Sequence, residues 1–158
     1  NDTHPALCVP ELMRLLVDQY EMGWDEAWDI TCKCLSYTNH TVMAEALEHW
    51  QIDLFREQLP RVYGIVREID RRTRNQLQLA YPGDWAKIDY MAPISGGEVR
   101  MANLCLAACH KVNGVSQLHT QILKDGIFAK YDLPLMRLNT TGSGEKEKIV
   151  SKLNELIA

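Results

Sequence analysis

The sequence predicts a mainly α-helical fold, and three observations lead to that prediction. Apolar side chains recur at helical spacing through most of the chain. Proline or glycine stands where one apolar pattern ends and the next begins, as expected of helices joined by short turns. Hydrophobic residues make up 46% of the 158 residues, which is enough for one domain with a real core.

Four helical segments are predicted in the first part of the chain. The first begins at Pro10, since proline is favoured at the first helical position. The second follows Asp25, whose side chain is a suitable N-cap. Residues 38–41 are predicted to form a loop, after which Thr41 caps a third helix. The fourth segment covers residues 52–59.

The middle of the chain continues this helical pattern. The longest apolar repeat runs from Pro60 to Pro82, and Asp84 then caps a short helix. Residues 94–98, which are rich in Gly and Ser, are predicted to be a loop. A further helix is predicted after the Asn-Gly turn signal at residues 113–114. Its apolar positions are Val115, Leu118 and Ile122.

Residues 99–110 admit two interpretations. Their apolar side chains occupy both alternating sets of positions. Periodicity alone therefore does not separate a buried strand from a buried helix in this segment.

Residues 133–158 differ in character from the rest of the chain. Residues 139–144 are small and polar, which is typical of a flexible connector. Residues 145–158 follow as a predicted amphipathic helix, in which three Glu balance three Lys. We therefore divide the chain into a mostly helical part, residues 1–132, and a connector with a C-terminal helix, residues 133–158.

Charge and composition argue against several classes of partner. The net charge of −4 and the pI near 5.7 are unlike the basic stripe of a nucleic-acid-binding protein. No run of 18 apolar residues is present, so we expect no membrane span. The five cysteines have neither the spacing of a disulfide framework nor that of a zinc site. We therefore expect a cytoplasmic protein without a bound metal.

Five arginines cluster between residues 61 and 74, interleaved with Glu68 and Asp70. A patch of this kind is either a solvated helix face or a binding site for phosphate or another polyanion. The interleaved carboxylates favour the solvated face.

Two short segments near the start of the chain are candidates for ligand binding. Residues 1–7 and 37–42 each set a His beside Thr, Asn or Asp, immediately before an apolar helical pattern. Short polar residues at a helix start leave side-chain and backbone groups available for a hydroxyl-rich or anionic ligand. The structural alternative is that Asp2 and Asn39 cap helices and that the histidines have no ligand.

These segments belong to a series of motifs that resembles the α-glucan phosphorylases from residue 1 to about residue 131. The motifs are N-D-T-H-P at 1–5, Y-T-N-H-T at 37–41, E-A-L-E-x-W at 45–50, L-P-R at 59–61, R-M-A-N-L at 100–104 and V-N-G-V at 112–115. The resemblance implies a bacterial-type glycogen or maltodextrin phosphorylase. It also implies that the chain is a helical fragment of the α/β N-terminal domain, with a buried strand near residues 99–110.

The same resemblance implies roles for five residues. Members of the family cleave α-1,4-glucan with phosphate and release glucose 1-phosphate. The position of His40 implies that its backbone carbonyl contacts the glucosyl unit in the catalytic cleft. Thr41 and Val115 match residues that pack beside that sugar. Asp2 and His4 match polar residues that line the same pocket.

The resemblance implies that the complete enzyme uses pyridoxal phosphate as its cofactor, held by a lysine Schiff base in a C-terminal domain. The motifs of that domain do not occur in these 158 residues, so we expect no cofactor here and no activity of the isolated chain. The partners implied for the complete enzyme are an α-1,4-glucan oligosaccharide and phosphate. The alternative is a non-catalytic interaction module, either a natural relic or an engineered fusion, that self-associates as a homodimer through apolar faces.

Overall fold

A computed structural model describes residues 1–41 and 43–125 of the chain. The predicted mainly α fold is confirmed for these residues. The predicted connector and C-terminal amphipathic helix lie outside them. The α-helices of the described part are α1 (Cys8–Arg14), α2 (Trp24–Cys34), α3 (Ile52–Gln58), α4 (Pro60–Ala80), α5 (Trp85–Met91), α6 (Met101–Ala108) and α7 (Gln117–Asp125).

Short strands form two small sheets between the helices. The strands are β1 (Ser36–Asn39), β2 (His49–Gln51), β3 (Ile94–Ser95), β4 (Glu98–Arg100) and β5 (Lys111–Gly114). Strands β1 and β5 pair in parallel, whereas β4 lies between β2 and β3 and pairs antiparallel with both. A π-helical turn, Leu15–Gln19, follows α1, and a 3-10 turn, Ala44–Ala46, precedes β2.

The core lies between α4 and α6, with α1 packed against both helices. Helix α4 is amphipathic and turns one face inward, as its apolar repeat predicts. The buried residues of that face are Val62, Ile65, Val66, Ile69 and Leu77. Helix α6 is buried on nearly every side, since all of its residues except Ala107 are buried.

The buried strand predicted near residues 99–110 is present only at the start of that segment, as β4, in which Val99 is buried. Only residues 98–100 are extended, and residues 101–108 form α6. The physical reason is visible in the residue types, because Met, Leu and Ala favour helix and residues 101–110 contain no β-branched side chain. Burial on all sides had removed the periodicity that separates helix from strand.

Three further segments differ from prediction. The loop expected at residues 38–41 begins inside strand β1, and the helix expected after Thr41 is replaced by the 3-10 turn and strand β2. Residues 94–98 contribute to a hairpin, in which Gly96 and Gly97 adopt positive φ between β3 and β4. These strands have two to four residues, too few for an alternating pattern to be recognised in the sequence.

The arginine cluster lies along α4, and four of its five members pair with acids. Arg71 and Arg72 both donate to Glu68 at 2.6 Å, and Arg61 pairs with Asp18 of the π-helical turn. Hydrogen bonds from the two guanidinium groups lower the pKa of Glu68 to about 2. This pairing favours a solvated helix face over a phosphate site.

Within residues 1–41 and 43–125, no helix combines the length and apolar character that crossing a bilayer requires.

Candidate functional site

The parallel pair β1 and β5 brings two polar loops to one edge. Ser36 lies opposite Lys111 and Asn39 lies opposite Gly114, so both strands end at the same place. His40 and Thr41 follow β1, and Val115 follows β5. Ligands of parallel sheets commonly bind at the carboxyl ends of the strands. Three of the five predicted site residues therefore meet at what we term the carboxyl edge: the loops after Asn39 and after Gly114.

His119, in the first turn of α7, joins the two loops of the carboxyl edge. The backbone N–H of Val115 donates to His119 Nδ1 at 3.2 Å. Because Nδ1 is the acceptor, the ring proton of the neutral side chain is on Nε2, which donates to the carbonyl oxygen of Thr41 at 3.3 Å. The ring is 8% exposed. One buried imidazole thus fixes the backbone of both loops.

A second set of hydrogen bonds ties α7 to the end of β5. The hydroxyl of Thr120 accepts from the N–H of Gly114 and donates to the carbonyl of Ser116, both at 2.9 Å. The hydroxyl of Ser116 accepts from the N–H of His119 at 3.1 Å, as a helix-capping serine does. A Cβ on Gly114 would lie 2.8 Å from the backbone nitrogen of Thr120. Glycine is therefore required where α7 crosses the strand end.

Asn39 shapes the loop after β1 from inside the core. Its amide nitrogen donates to the hydroxyl of Tyr37 at 2.8 Å, and its amide oxygen accepts from the N–H of Thr41 at 2.9 Å. Both side chains are buried, and burial raises the pKa of Tyr37 well above its ordinary value. Asn39 thus holds the turn at the strand end and does not cap a helix, which the structural alternative had predicted for this residue.

The opening segment of the chain lies beside this edge. Asp2 adopts a φ of 57°, a conformation that Asp tolerates better than most residues. Its N–H donates to the carbonyl of Thr38 at 2.8 Å, and its side chain accepts from the N–H of Thr3 at 2.9 Å. Asn1 contacts the ring of His40. Asp2 is therefore held next to the loop after β1.

The structure places His4 differently from the other four predicted residues. It is exposed in the turn of residues 3–7, and none of the hydrogen bonds of the carboxyl edge described above involves it. Thr3, its neighbour, is buried and donates to Glu48, which also accepts from the indole of Trp50. The opening turn is thus anchored through Thr3.

The sequence pattern did not identify His119 and Thr120, because it predicted that the opposite face of α7 is buried. The predicted apolar positions face outward: Val115 is 55%, Leu118 71% and Ile122 43% exposed. His119 and Thr120 are buried instead. The available signal was local, since a Ser followed by His and Thr at the third and fourth positions is what a capped, back-bonded first turn requires.

We expect His119→Ala to destabilise the fold by about 1–3 kcal/mol, because it removes a buried side chain and leaves the partly buried N–H of Val115 and carbonyl of Thr41 unpaired. His119→Gln offers an amide oxygen and an amide nitrogen in place of the two ring nitrogens and should recover part of that loss. Urea unfolding followed by circular dichroism measures both. Equal stability of the alanine variant and the unsubstituted chain would show that the imidazole does not hold the two loops.

Comparisons with known proteins show which family and which relatives this sequence resembles. A model of the carbohydrate phosphorylase family matches residues 1–145, beyond the last motif recognised in the sequence. Glycogen phosphorylase of Bacillus subtilis is 52% identical over 125 residues, 79% of this chain and 16% of that protein. The muscle form of glycogen phosphorylase of Homo sapiens is 48% identical over 134 residues, 83% of this chain and 16% of that protein. The chain spans about a sixth of the length of these curated relatives.

Proposed function

The chain belongs to the carbohydrate phosphorylase family, and we propose that it forms the glucosyl-binding side of an α-glucan phosphorylase cleft. One observation carries this proposal. Thr41 and Val115, which the family resemblance associates with the sugar, come from distant parts of the chain and are joined through His119 at the carboxyl edge. That arrangement is the expected position of a ligand site in a parallel sheet.

The chemistry of the carboxyl edge suits a hydroxyl-rich ligand. The backbone carbonyl of His40 is the acceptor proposed for a sugar hydroxyl, and the exposed side chain of Val115 offers an apolar contact for the ring. His119 donates to the carbonyl of Thr41. Together with the hydrogen bonds of Ser116 and Thr120, this contact holds the loops in place before a sugar binds. Preorganised acceptors of this kind lower the entropy cost of binding.

The residues of the described part do not fit pyridoxal phosphate, the cofactor implied by the family. Its Schiff base needs a lysine at the site. Of the lysines whose side chains the structure describes, Lys33 pairs with Asp29, Lys87 lies over a tyrosine ring, and Lys111 begins β5 at the far end from the carboxyl edge. We assign no chemical step to the cofactor.

We therefore propose that the isolated 158-residue chain does not catalyse phosphorolysis. Support comes from the lysine positions and from the pairing of four of the five clustered arginines with acids. The purified chain would be incubated with maltooligosaccharide, phosphate and pyridoxal phosphate, and glucose 1-phosphate measured. No release above the blank is expected, whereas release would overturn the proposed inactivity.

Sugar binding is tested separately from catalysis. On adding maltotetraose to the ¹⁵N-labelled chain, we expect amide shifts at residues 39–41 and 114–116, and weaker shifts in His119→Ala. His110→Ala is the matched control, since His110 contacts the carbonyl of Cys32 in α2, away from the carboxyl edge. Shifts confined to other regions, or equal shifts in all three proteins, would contradict the proposed site.

Two finer points stay predictions. Self-association as a homodimer is supported by the exposed apolar side chains of Leu118 and Ile122 on α7 and of Val115 just before it. A cytoplasmic location is supported by the five free cysteines, because disulfides are rare in that compartment.

A further inference from the structure

A cavity at the junction of four helices lies away from the carboxyl edge and is not part of the proposed glucan site. Its volume is about 200 Å³. Helices α2, α4, α5 and α6 each contribute side chains to its wall, and so does His110, which immediately precedes β5. Because β5 ends at Gly114, the cavity and the carboxyl edge lie at opposite ends of that strand.

The wall of this cavity is mostly apolar. Leu77 and Leu106 are each 1% exposed and Met91 is 2% exposed, so all three face inward. The half-buried ring of Trp28 forms another part of the wall and packs against the core. A buried water needs roughly two to four polar partners, which these side chains do not supply. The cavity therefore favours a largely apolar occupant.

A few polar side chains, among them that of His110, lie on the same wall. Nδ1 of His110 contacts the carbonyl oxygen of Cys32 at 3.0 Å. Because a carbonyl oxygen only accepts, Nδ1 carries the proton of the neutral ring, and Nε2 is left as an acceptor. No hydrogen bond within residues 1–41 and 43–125 engages this Nε2. His110 thus offers an acceptor for a ligand hydroxyl beside an apolar space.

The volume and the residue types indicate the kind of ligand that fits. An apolar cavity of about 150 Å³ holds benzene, so this one has room for a single ring with a short substituent. Trp28 and Met91 favour a ring over an alkyl chain, because aromatic groups pack on an indole and contact a thioether sulfur favourably. A rigid ring also loses less conformational freedom on binding than a flexible chain does.

We propose that this cavity binds a small phenol, with the ring between Trp28 and Met91 and the hydroxyl donating to Nε2 of His110. A second cavity, of about 430 Å³, shares Trp28 and two side chains of α4 with the first. A substituent on the ring therefore has room between α2 and α4. Binding involves no covalent step, and it stabilises the folded chain because the cavity exists only in the fold.

Indole signals of the ¹⁵N-labelled chain test the proposal, since each of the four tryptophans contributes one N–H resonance. The probe is 4-ethylphenol, and Trp28→Phe identifies the signal of Trp28. We expect a saturable shift of that signal, with a dissociation constant of roughly 0.1–1 mM, and a higher midpoint of thermal unfolding. Hexan-1-ol, which carries its hydroxyl on a flexible chain, should bind several-fold more weakly.

Matched variants locate the ligand. Ala107→Leu fills the cavity from α6 and should abolish the shift of Trp28. His110→Ala removes the proposed acceptor and should weaken binding several-fold. Gln78→Leu is the control, because Gln78 is exposed on α4 and lines neither cavity, and it should leave the dissociation constant unchanged. If Ala107→Leu loses the native circular dichroism spectrum, Thr73→Leu fills the cavity from α4 instead.

Four results would each overturn the proposal. The first is a shift at Trp85 without one at Trp28, since Trp85 is 64% exposed and would report adsorption to the surface. The second is equal affinity for hexan-1-ol and 4-ethylphenol. The third is unchanged binding in a folded variant whose cavity is filled. The fourth is unchanged binding in His110→Ala.

Discussion

Replacing Gly114 with alanine is expected to destabilise the fold by about 3 kcal/mol and to disrupt the carboxyl edge with it. The added Cβ would lie 2.8 Å from the backbone nitrogen of Thr120 and 3.0 Å from the ring carbon Cγ of His119. The nearest obstacle is backbone and cannot rotate away. Helix α7 must therefore move from the strand end, and the His119 contacts would weaken. Urea unfolding measures the loss of stability.

Gly23→Ala is the matched control for this prediction. Gly23 precedes α2 with a φ of −60°, and a Cβ there would meet nothing within 4 Å. Its substitution should change stability by less than about 1 kcal/mol. If both variants unfold at the same urea concentration as the unsubstituted chain, the close approach of α7 to β5 is not a constraint on the fold.

Phe55→Ala is expected to cost about 3–5 kcal/mol, because it deletes a large side chain from a closed part of the core. Phe55 is 1% exposed and packs edge-on against Trp50, with ring centroids 5.7 Å apart. On its other side the ring contacts Tyr63 of α4 at 6.1 Å. The residue therefore joins β2, α3 and α4. Its loss should lower the midpoint of urea unfolding with little change in the slope.

The neighbouring Leu54 provides the control for Phe55. It lies on the same helix, is also apolar, and is 52% exposed. Leu54→Ala should cost less than about 1 kcal/mol, since little of its surface is removed from water in the fold. Comparable losses for both variants would mean that burial of the aromatic ring does not determine the effect.

The long, amphipathic helices could be predicted from the sequence. Helix α4 begins at Pro60 as expected, and the side chain of Asp84 caps α5 by accepting from the N–H of Lys87 at 3.0 Å. Both predictions rest on local chemistry: a proline suits the first helical position, and a carboxylate satisfies a free N–H. Neither depends on which other parts of the chain lie nearby.

The strands could not be predicted from local sequence patterns, because each forms by pairing with another strand that is not determined by its own sequence. Strand β1 exists through its partner β5, and β2 through its pairing with β4. Helix α6 was not recognised for a different reason. Because it is buried on nearly all sides, its apolar residues show no helical periodicity. Helix propensity would have indicated a helix there, as the segment contains Met, Leu and Ala and no β-branched residue.

The candidate site was predicted in part, and for a specific physical reason. His40 and Thr41 were identified by their motif, and the structure brings them to the same edge as Val115. His119 was not identified, because a sequence pattern of apolar residues suggested the opposite face of α7. The contact between His119 and Thr41 joins residues 78 positions apart, which no local pattern contains.

The parallel pairing of β1 with β5 also has a thermodynamic consequence for the carboxyl edge. Thr38 and Asn113 are 75 residues apart, and closing a chain segment of that length costs about 4 kcal/mol in entropy. A four-residue ladder, at about 1 kcal/mol for each hydrogen bond, does not clearly exceed that cost. The helices between the strands must supply the difference. The carboxyl edge is therefore a state of the whole domain, and its population falls with any loss of core stability.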